Sequence, residues 1–229
     1  MESSKSNLSS RTGFWSAILL TCMLIIYTIA MIFMIFNKPS QWNNINIYAQ
    51  QINENWNSWL TISHVMVFLS APLYLIIIHC LDDYIEKEKK VFIRISISFA
   101  IMLTVLGSIN YFIQFSTVKL SIAKGHLDGL EQFIQLNPYS VTYAIVTLGW
   151  TFFLGLSSIF ISFIFQGSRL KRVLKYAFIA NGFFCFIGLF GYIIEVSILT
   201  MLYVVGMGIS MIVFSIALII YFKKENISY

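Results

Sequence analysis

The sequence predicts an all-α integral membrane protein, a bundle of six transmembrane helices forming one domain over residues 1–229. Three observations predict this class. The chain is 58% hydrophobic and 11% charged, whereas soluble domains carry about 25% charged residues. Six apolar stretches are each long enough to cross a bilayer, and most Lys and Arg residues lie between alternate stretches. The composition excludes a disordered chain, a coiled coil and an ordinary cytosolic enzyme.

The six predicted spans follow from length. A hydrocarbon core of ~30 Å needs about 20 apolar residues in a helix. Stretches that meet this requirement cover residues 14–36, 59–80, 92–115, 141–165, 176–194 and 198–222. The first is longer than the apolar region of a signal peptide and has no small-x-small cleavage site before Asn37, so we expect an uncleaved helix.

The fifth and sixth spans are separated by very few polar residues. From Tyr176 to Phe222 the chain has 47 residues, which as one helix would measure ~70 Å, more than twice the hydrocarbon core. The chain must therefore fold back on itself. The interruption at Glu195, Val196 and Ser197 predicts a tight helical hairpin there.

The distribution of positive charge predicts the orientation. Twelve of the 15 Lys and Arg residues lie on one side of the predicted bundle, and only Lys38, Lys119 and Lys124 lie on the other. The positive-inside rule then places both termini in the cytoplasm. The net charge of +5 is explained by loops facing anionic lipid, so we expect a lipid bilayer and not nucleic acid as the partner. The predicted location is a bacterial plasma membrane.

The third loop carries an amphipathic stripe. Its apolar residues are spaced by three and four positions and comprise Leu120, Ala123, Leu127, Leu130 and Ile134. This spacing predicts a short helix lying on the outer leaflet and ending near Asn137. The alternative is a lid over an outward-facing cavity.

Signatures of catalysis and of metal binding are lacking in the sequence. It has no Gly-x-Ser-x-Gly, no His-Glu-x-x-His and no phosphate-binding glycine loop. The three cysteines, Cys22, Cys80 and Cys185, fit no ligand spacing and are interpreted as small apolar residues. We expect no metal and no cofactor. The lack of catalytic motifs favours a protein that is not an enzyme.

Several polar residues are predicted to share one depth in the outer half of the bilayer. They come from four spans and comprise His64, Asn110, Gln114, Tyr143, Thr147 and Glu195. An unpaired polar group in hydrocarbon costs several kcal/mol, so these side chains are expected to point into the bundle. The sequence therefore predicts an outward-opening polar pocket for a ligand.

His64 is the one ionisable residue well within a span, and Glu195 is its best-placed acidic partner. Paired, they would form a proton carrier or a ligand anchor. The structural alternatives are that Asn110 and Gln114 only join helices, that Glu195 only forms the hairpin turn, and that His64 only bonds a carbonyl.

Small residues follow one face of the fourth span at Thr147, Thr151, Gly155 and Ser158, and of the sixth at Gly206 and Ser210. Such stripes allow close helix contact, either within the bundle or between the protomers of a homo-oligomer.

The segment from Asn137-Pro138-Tyr139-Ser140 to Gly149-Trp150-Thr151-Phe152-Phe153-Leu154-Gly155 resembles uncharacterised bacterial multi-pass membrane proteins with six helices. The resemblance covers about one helix in six. It implies a polytopic prokaryotic protein and implies no activity.

The leading functional hypothesis is a membrane protein that binds or passes a small or lipidic ligand through the polar pocket. One alternative is an intramembrane enzyme that uses His64 as base with Glu195 orienting it. Another is a structural or accessory subunit of a membrane assembly.

Overall fold

The computed structural model describes the backbone of residues 2–36, 42–54 and 58–227, and the side chains of residues 8–33, 42–52 and 59–225. The described elements are all helical. The α-helices are α1 (Glu2–Phe36), α2 (Ile45–Glu54), α3 (Ser58–Asp82), α4 (Lys90–Ile113), α5 (Lys119–Lys124), α6 (Val141–Leu148), α7 (Leu154–Ser162), α8 (Arg169–Ile193) and α9 (Ser197–Ile227).

Two π-helical segments keep neighbouring helices continuous. Gln114–Val118 joins α4 to α5, and Gly149–Phe153 joins α6 to α7. Short 3₁₀ helices occupy Lys87–Lys89 and Leu130–Phe133. The third span is consequently longer than predicted, because its helix passes through the π segment to Lys124.

Six helical stretches are long and apolar enough to cross a membrane, which confirms the predicted class and the number of spans. They cover Leu8–Phe33, Trp59–Asp82, Lys87–Lys124, Val141–Ser162, Arg169–Ile193 and Ser197–Glu225. The turn between the last two lies where the sequence places it, since α8 ends at Ile193 and α9 begins at Ser197.

The spans form a closed ring in chain order. Each packs against the span before it, and α9 returns to α1. Two long-range hydrogen bonds mark this closure. The Thr21 hydroxyl lies 2.9 Å from that of Ser215, and the Ser10 hydroxyl donates to the Phe222 carbonyl at 2.9 Å.

One end of the ring, which we call the basic end, gathers the N-terminal part of α1, the connections after α3 and α7, and the C-terminal part of α9. Ser9 donates a hydrogen bond to Asp83. The Tyr221 ring lies 6.3 Å from Tyr84 and 6.2 Å from Phe165, measured between centroids. The segments that carry most of the positive charge therefore share one end of the bundle.

Aromatic rings pack directly against glycines where α8 meets α9. A Cβ atom placed on Gly188 would lie 2.3 Å from the Cγ of Tyr203, and one placed on Gly206 would lie 2.3 Å from the Cγ of Phe184. Each helix thus offers a ring to a glycine on the other. The absence of a side chain at these two positions allows the close approach of the helices.

A fully buried amide joins three spans in the middle of the bundle. The Asn181 Oδ1 of α8 accepts from the Ser158 hydroxyl of α7 at 2.8 Å. Its Nδ2 donates to the Ser210 hydroxyl of α9 at 3.0 Å and to the Met207 carbonyl at 3.3 Å. The sequence predicts Ser158 and Ser210 as packing residues. In the structure both also form a hydrogen bond with Asn181 of the same chain.

The predicted amphipathic stripe of the third loop is divided in the structure. Helix α5 ends at Lys124 because Gly125 adopts a left-handed backbone with φ 72°, and Gly129 does the same with φ 73°. The chain then folds over the end of the ring opposite the basic end, which we call the loop end. There Leu130 and Ile134 are buried against Tyr48 and Ile52 of α2.

Candidate functional site

An open groove with a volume of about 930 Å³ lies at the loop end, among the residues that the structure describes. It runs between the start of α6 and the hairpin of α8 and α9. Its lining comprises Pro138, Tyr139, Tyr143, Gly191, Tyr192, Ile193, Glu195, Ser197, Thr200, Met201, Val204 and Val205. Cavities of this volume accommodate molecules of drug size.

One end of the groove carries tyrosines and a carboxylate. The rings of Tyr143 and Tyr192 lie 5.4 Å apart between centroids, with their planes inclined by 54°. Tyr139 is 82% exposed, and Glu195 is exposed as well. Tyrosine presents an apolar ring and a polar tip, a combination suited to the boundary between lipid and water.

The other end of the groove is an apolar wall on α9. Met201 and Val205 are four residues apart and so lie on one helix face, and Val204 adjoins them. All three side chains are exposed. The groove therefore has a polar end at the hairpin turn and an apolar end along the helix, the arrangement that an amphiphilic molecule requires.

The hairpin turn fixes the backbone of Glu195 at the polar end. Glu195 has φ 56°, and it is the one non-glycine residue with positive φ in the described chain. The Val196 N–H donates to the Gly191 carbonyl at 2.9 Å, and the Glu195 N–H donates to the Tyr192 carbonyl at 3.4 Å. This pair of bonds is the Schellman motif, in which the left-handed position usually holds glycine.

His64 lies at a separate and much smaller cavity. That cavity measures about 20 Å³ and is also lined by Gln114 of the π segment and Tyr48 of α2. Such a volume holds about one water molecule. The His64 ring packs 5.8 Å from the ring of Tyr111, measured between centroids.

The predicted partners His64 and Glu195 are thus placed in two cavities that share no lining residue. No acidic side chain lines the His64 cavity among the residues that the structure describes. An acid and base acting together need hydrogen-bond reach or one bridging water. The observed placement offers no pairing of this kind to the two residues.

Asn110 and Gln114 hold the third loop against the bundle. The Asn110 Nδ2 donates to Gln135 Oε1 at 2.8 Å, and the Gln114 Nε2 donates to the Phe133 carbonyl at 2.8 Å. The Gln135 N–H donates in return to Gln114 Oε1 at 3.0 Å. Both side chains are buried, so they anchor the loop.

The six predicted site residues therefore divide into separate groups. Tyr143 and Glu195 line the groove, whereas His64 and Gln114 line the small cavity. Asn110 binds the loop. Thr147 lines neither cavity, and its carbonyl accepts from the Thr151 hydroxyl at 2.7 Å.

Sequence reasoning missed two tyrosines and the apolar wall of the groove. Tyr139 follows Pro138 at the end of the third loop, and Tyr192 precedes Glu195 by three residues. Aromatic residues beside a predicted turn at the membrane surface are a usable signal for such a site. Met201, Val204 and Val205 carry no such signal, because they are ordinary residues of an apolar span.

The described residues contain no group of three His, Cys, Asp or Glu side chains that could hold a metal ion. Comparison of the whole chain with models of protein families, with curated proteins and with solved structures finds no match.

Proposed function

We propose that this chain is a multi-pass membrane protein that binds an amphiphilic ligand, a lipid or a small molecule with an apolar tail, in the groove at the loop end. The observation that carries the proposal is the polarity of the groove along its length. Tyrosines and Glu195 stand at the hairpin turn, and an apolar wall of α9 continues from them. A ligand would place its head group at the turn and its tail along α9.

The proposal includes an orientation in a bacterial plasma membrane. The basic end would face the cytoplasm, because it carries most of the Lys and Arg residues and such residues favour the cytoplasmic side. The groove would then open at the outer leaflet. An amphiphile could reach it from the lipid without passing through the bundle.

Blocking the apolar wall tests the proposed binding. We expect Val205→Trp to weaken the labelling of the groove by a photoreactive C12 alkyl probe about threefold, because the indole fills the space of the tail and removes its van der Waals contacts with the wall. The probe would be added to protein in nanodiscs, and the labelled peptides would be mapped by mass spectrometry. The relevant labelling lies within residues 191–205.

Ile209→Trp is the matched control for this experiment. Ile209 lies one turn beyond Val205 on α9, is 60% exposed, and does not line the groove. We expect its labelling to equal that of the unchanged protein. Equal labelling of the Val205→Trp and Ile209→Trp variants would contradict the proposal.

Cysteine labelling tests the orientation. In a background with Cys22, Cys80 and Cys185 replaced, we expect Tyr139→Cys to react with a membrane-impermeant maleimide in intact bacterial cells. Ser168→Cys, at the start of α8, should react only after the cells are permeabilised. Mass-shift electrophoresis measures both reactions. The reverse pattern would show that the basic end faces outward.

A further inference from the structure

The charge of the groove lining indicates which head group it takes. We propose that the ligand is a phosphate-free amphiphile with a cationic amine head, bound with its ammonium between Glu195 and the rings of Tyr143 and Tyr192. This inference rests on the proposed function, because it assigns a ligand class to the same groove.

The described lining of the groove has one acidic residue, Glu195, and no Lys or Arg. The positive residues that the structure describes near this end, Lys119 and Lys124, belong to α5. That helix packs against α2 and contributes no residue to the groove. The one full charge in the described lining is therefore negative. It attracts a cation and repels an anion, and it exceeds the partial positive charge of about half a unit at the N-terminus of α9, where Ser197 also lines the groove.

The tyrosine rings add a second attraction for a cation. An ammonium within about 6 Å of an aromatic ring centroid is attracted by the electron-rich face of the ring. The ring centroids of Tyr143 and Tyr192 lie 5.4 Å apart, and the exposed Tyr139 lines the same groove. Rings and a carboxylate together are the groups that recognise alkylammonium ions.

A phosphate in the head group would fit poorly at this end. Proteins bind phosphate with Arg, Lys or clustered backbone N–H groups. The described lining offers no positive side chain to a phosphate, and the N-terminal N–H groups of α9 begin only two residues after the Glu195 carboxylate. A phosphate would also lie near the Glu195 carboxylate. A simple amine head avoids both costs.

The apolar wall sets the scale of the tail. From Ser197 to Val205 helix α9 rises about 12 Å, which suits an alkyl chain of medium length. We therefore expect a single-chain alkylamine to fit the groove along α9.

Three photoreactive probes with the same C12 tail test the inference: an alkylammonium, an uncharged alkyl glycerol ether and an alkyl carboxylate. They would be compared at neutral pH in nanodiscs of phosphatidylcholine, whose surface has no net charge. We expect the cation to label residues 191–205 about threefold to fivefold more strongly than the uncharged probe, the range of exposed ion pairs and cation–π contacts. The carboxylate should label least.

Two sets of variants assign the preference to the named groups. Glu195→Gln should remove most of the excess labelling by the cation, because only the attraction of the tyrosine rings remains, and it should leave labelling by the uncharged probe unchanged. Tyr143→Leu should weaken the preference, and Tyr143→Phe should keep it because the ring remains. Glu131→Gln removes an acidic residue of the third loop that does not line the groove, and it should change nothing.

Glu195→Gly is the control for correct folding, because glycine lacks the carboxylate but suits the left-handed backbone of the turn. It should keep the thermal stability of the unchanged protein and lose most of the preference for the cation. If all three probes label the groove equally, or if Glu195→Gln keeps the preference undiminished, the cationic head group is wrong while the groove remains a binding site. If no probe labels residues 191–205, the proposed function itself fails.

Discussion

Replacing Gly206 by alanine is expected to lower the free energy of unfolding by about 1–3 kcal/mol, the usual cost of forcing an extra methyl into a packed contact. The new Cβ would lie 2.3 Å from Cγ of Phe184 and 2.5 Å from its Cδ2. Turning the ring about its Cβ–Cγ bond does not clear the contact, because Cγ lies on that axis. Either Phe184 must leave its packed χ1 rotamer, or α8 and α9 must separate.

Gly208 provides a control on the same helix. A Cβ there meets nothing within 4 Å. Because alanine is the better helix former, Gly208→Ala is expected to leave stability unchanged or to raise it by up to about 1 kcal/mol. Both variants would be unfolded with SDS in mixed micelles and followed by circular dichroism. Equal stability of the two variants would contradict the packing described at Gly206.

A compensating change sharpens the test. Phe184→Ala removes Cγ and the ring opposite Gly206, so the double variant should lose less stability than the sum of the two single variants. Additive losses would show that the two positions do not contact each other.

Replacing Asn181 by leucine is expected to destabilise the bundle by about 2 kcal/mol, since three hydrogen bonds are lost and interhelical bonds in membranes average about 0.6 kcal/mol each. Leucine has a similar size but can bond neither Ser158 nor Ser210. The same SDS unfolding experiment measures the loss. The larger consequence is that α7, α8 and α9 lose their common polar contact.

Ser98→Ala is the control, because it removes a polar side chain that bonds only its own helix. The Ser98 hydroxyl is exposed and donates to the Arg94 carbonyl of its own helix at 3.1 Å. Its removal should change stability by less than about 0.5 kcal/mol. A loss for Asn181→Leu as small as that for Ser98→Ala would mean that the buried amide does not hold the three spans together.

Length and hydropathy are sufficient to predict the spans, because a bilayer imposes one thickness on every helix that crosses it. They predict the ends of the helices less well. The third span continues through Gln114–Val118 to Lys124, and these residues include polar ones that a hydropathy pattern assigns to a loop. The bonds between Gln114 and residues 133 and 135 depend on tertiary contacts that local pattern does not contain.

The candidate site shows a different limit. Counting residues from a membrane surface gives depth, and it placed His64 and Glu195 at one level. Depth says nothing about position around the ring. Because the spans pack in chain order, His64 of the second span and Glu195 of the last hairpin belong to different parts of the ring. A sequence predicts such neighbours only when the order of packing is known.

The ring also has a consequence for biogenesis. Five of its six joints connect consecutive spans, so each can form as soon as the next helix enters the membrane. The sixth joint must wait for α9, since Thr21 and Ser215 are 194 residues apart. Meanwhile the Thr21 hydroxyl can donate to the Ala17 carbonyl of its own helix, at 2.8 Å. The first span can therefore remain in the bilayer with the Thr21 hydroxyl hydrogen-bonded to its own helix, until the last span packs against it.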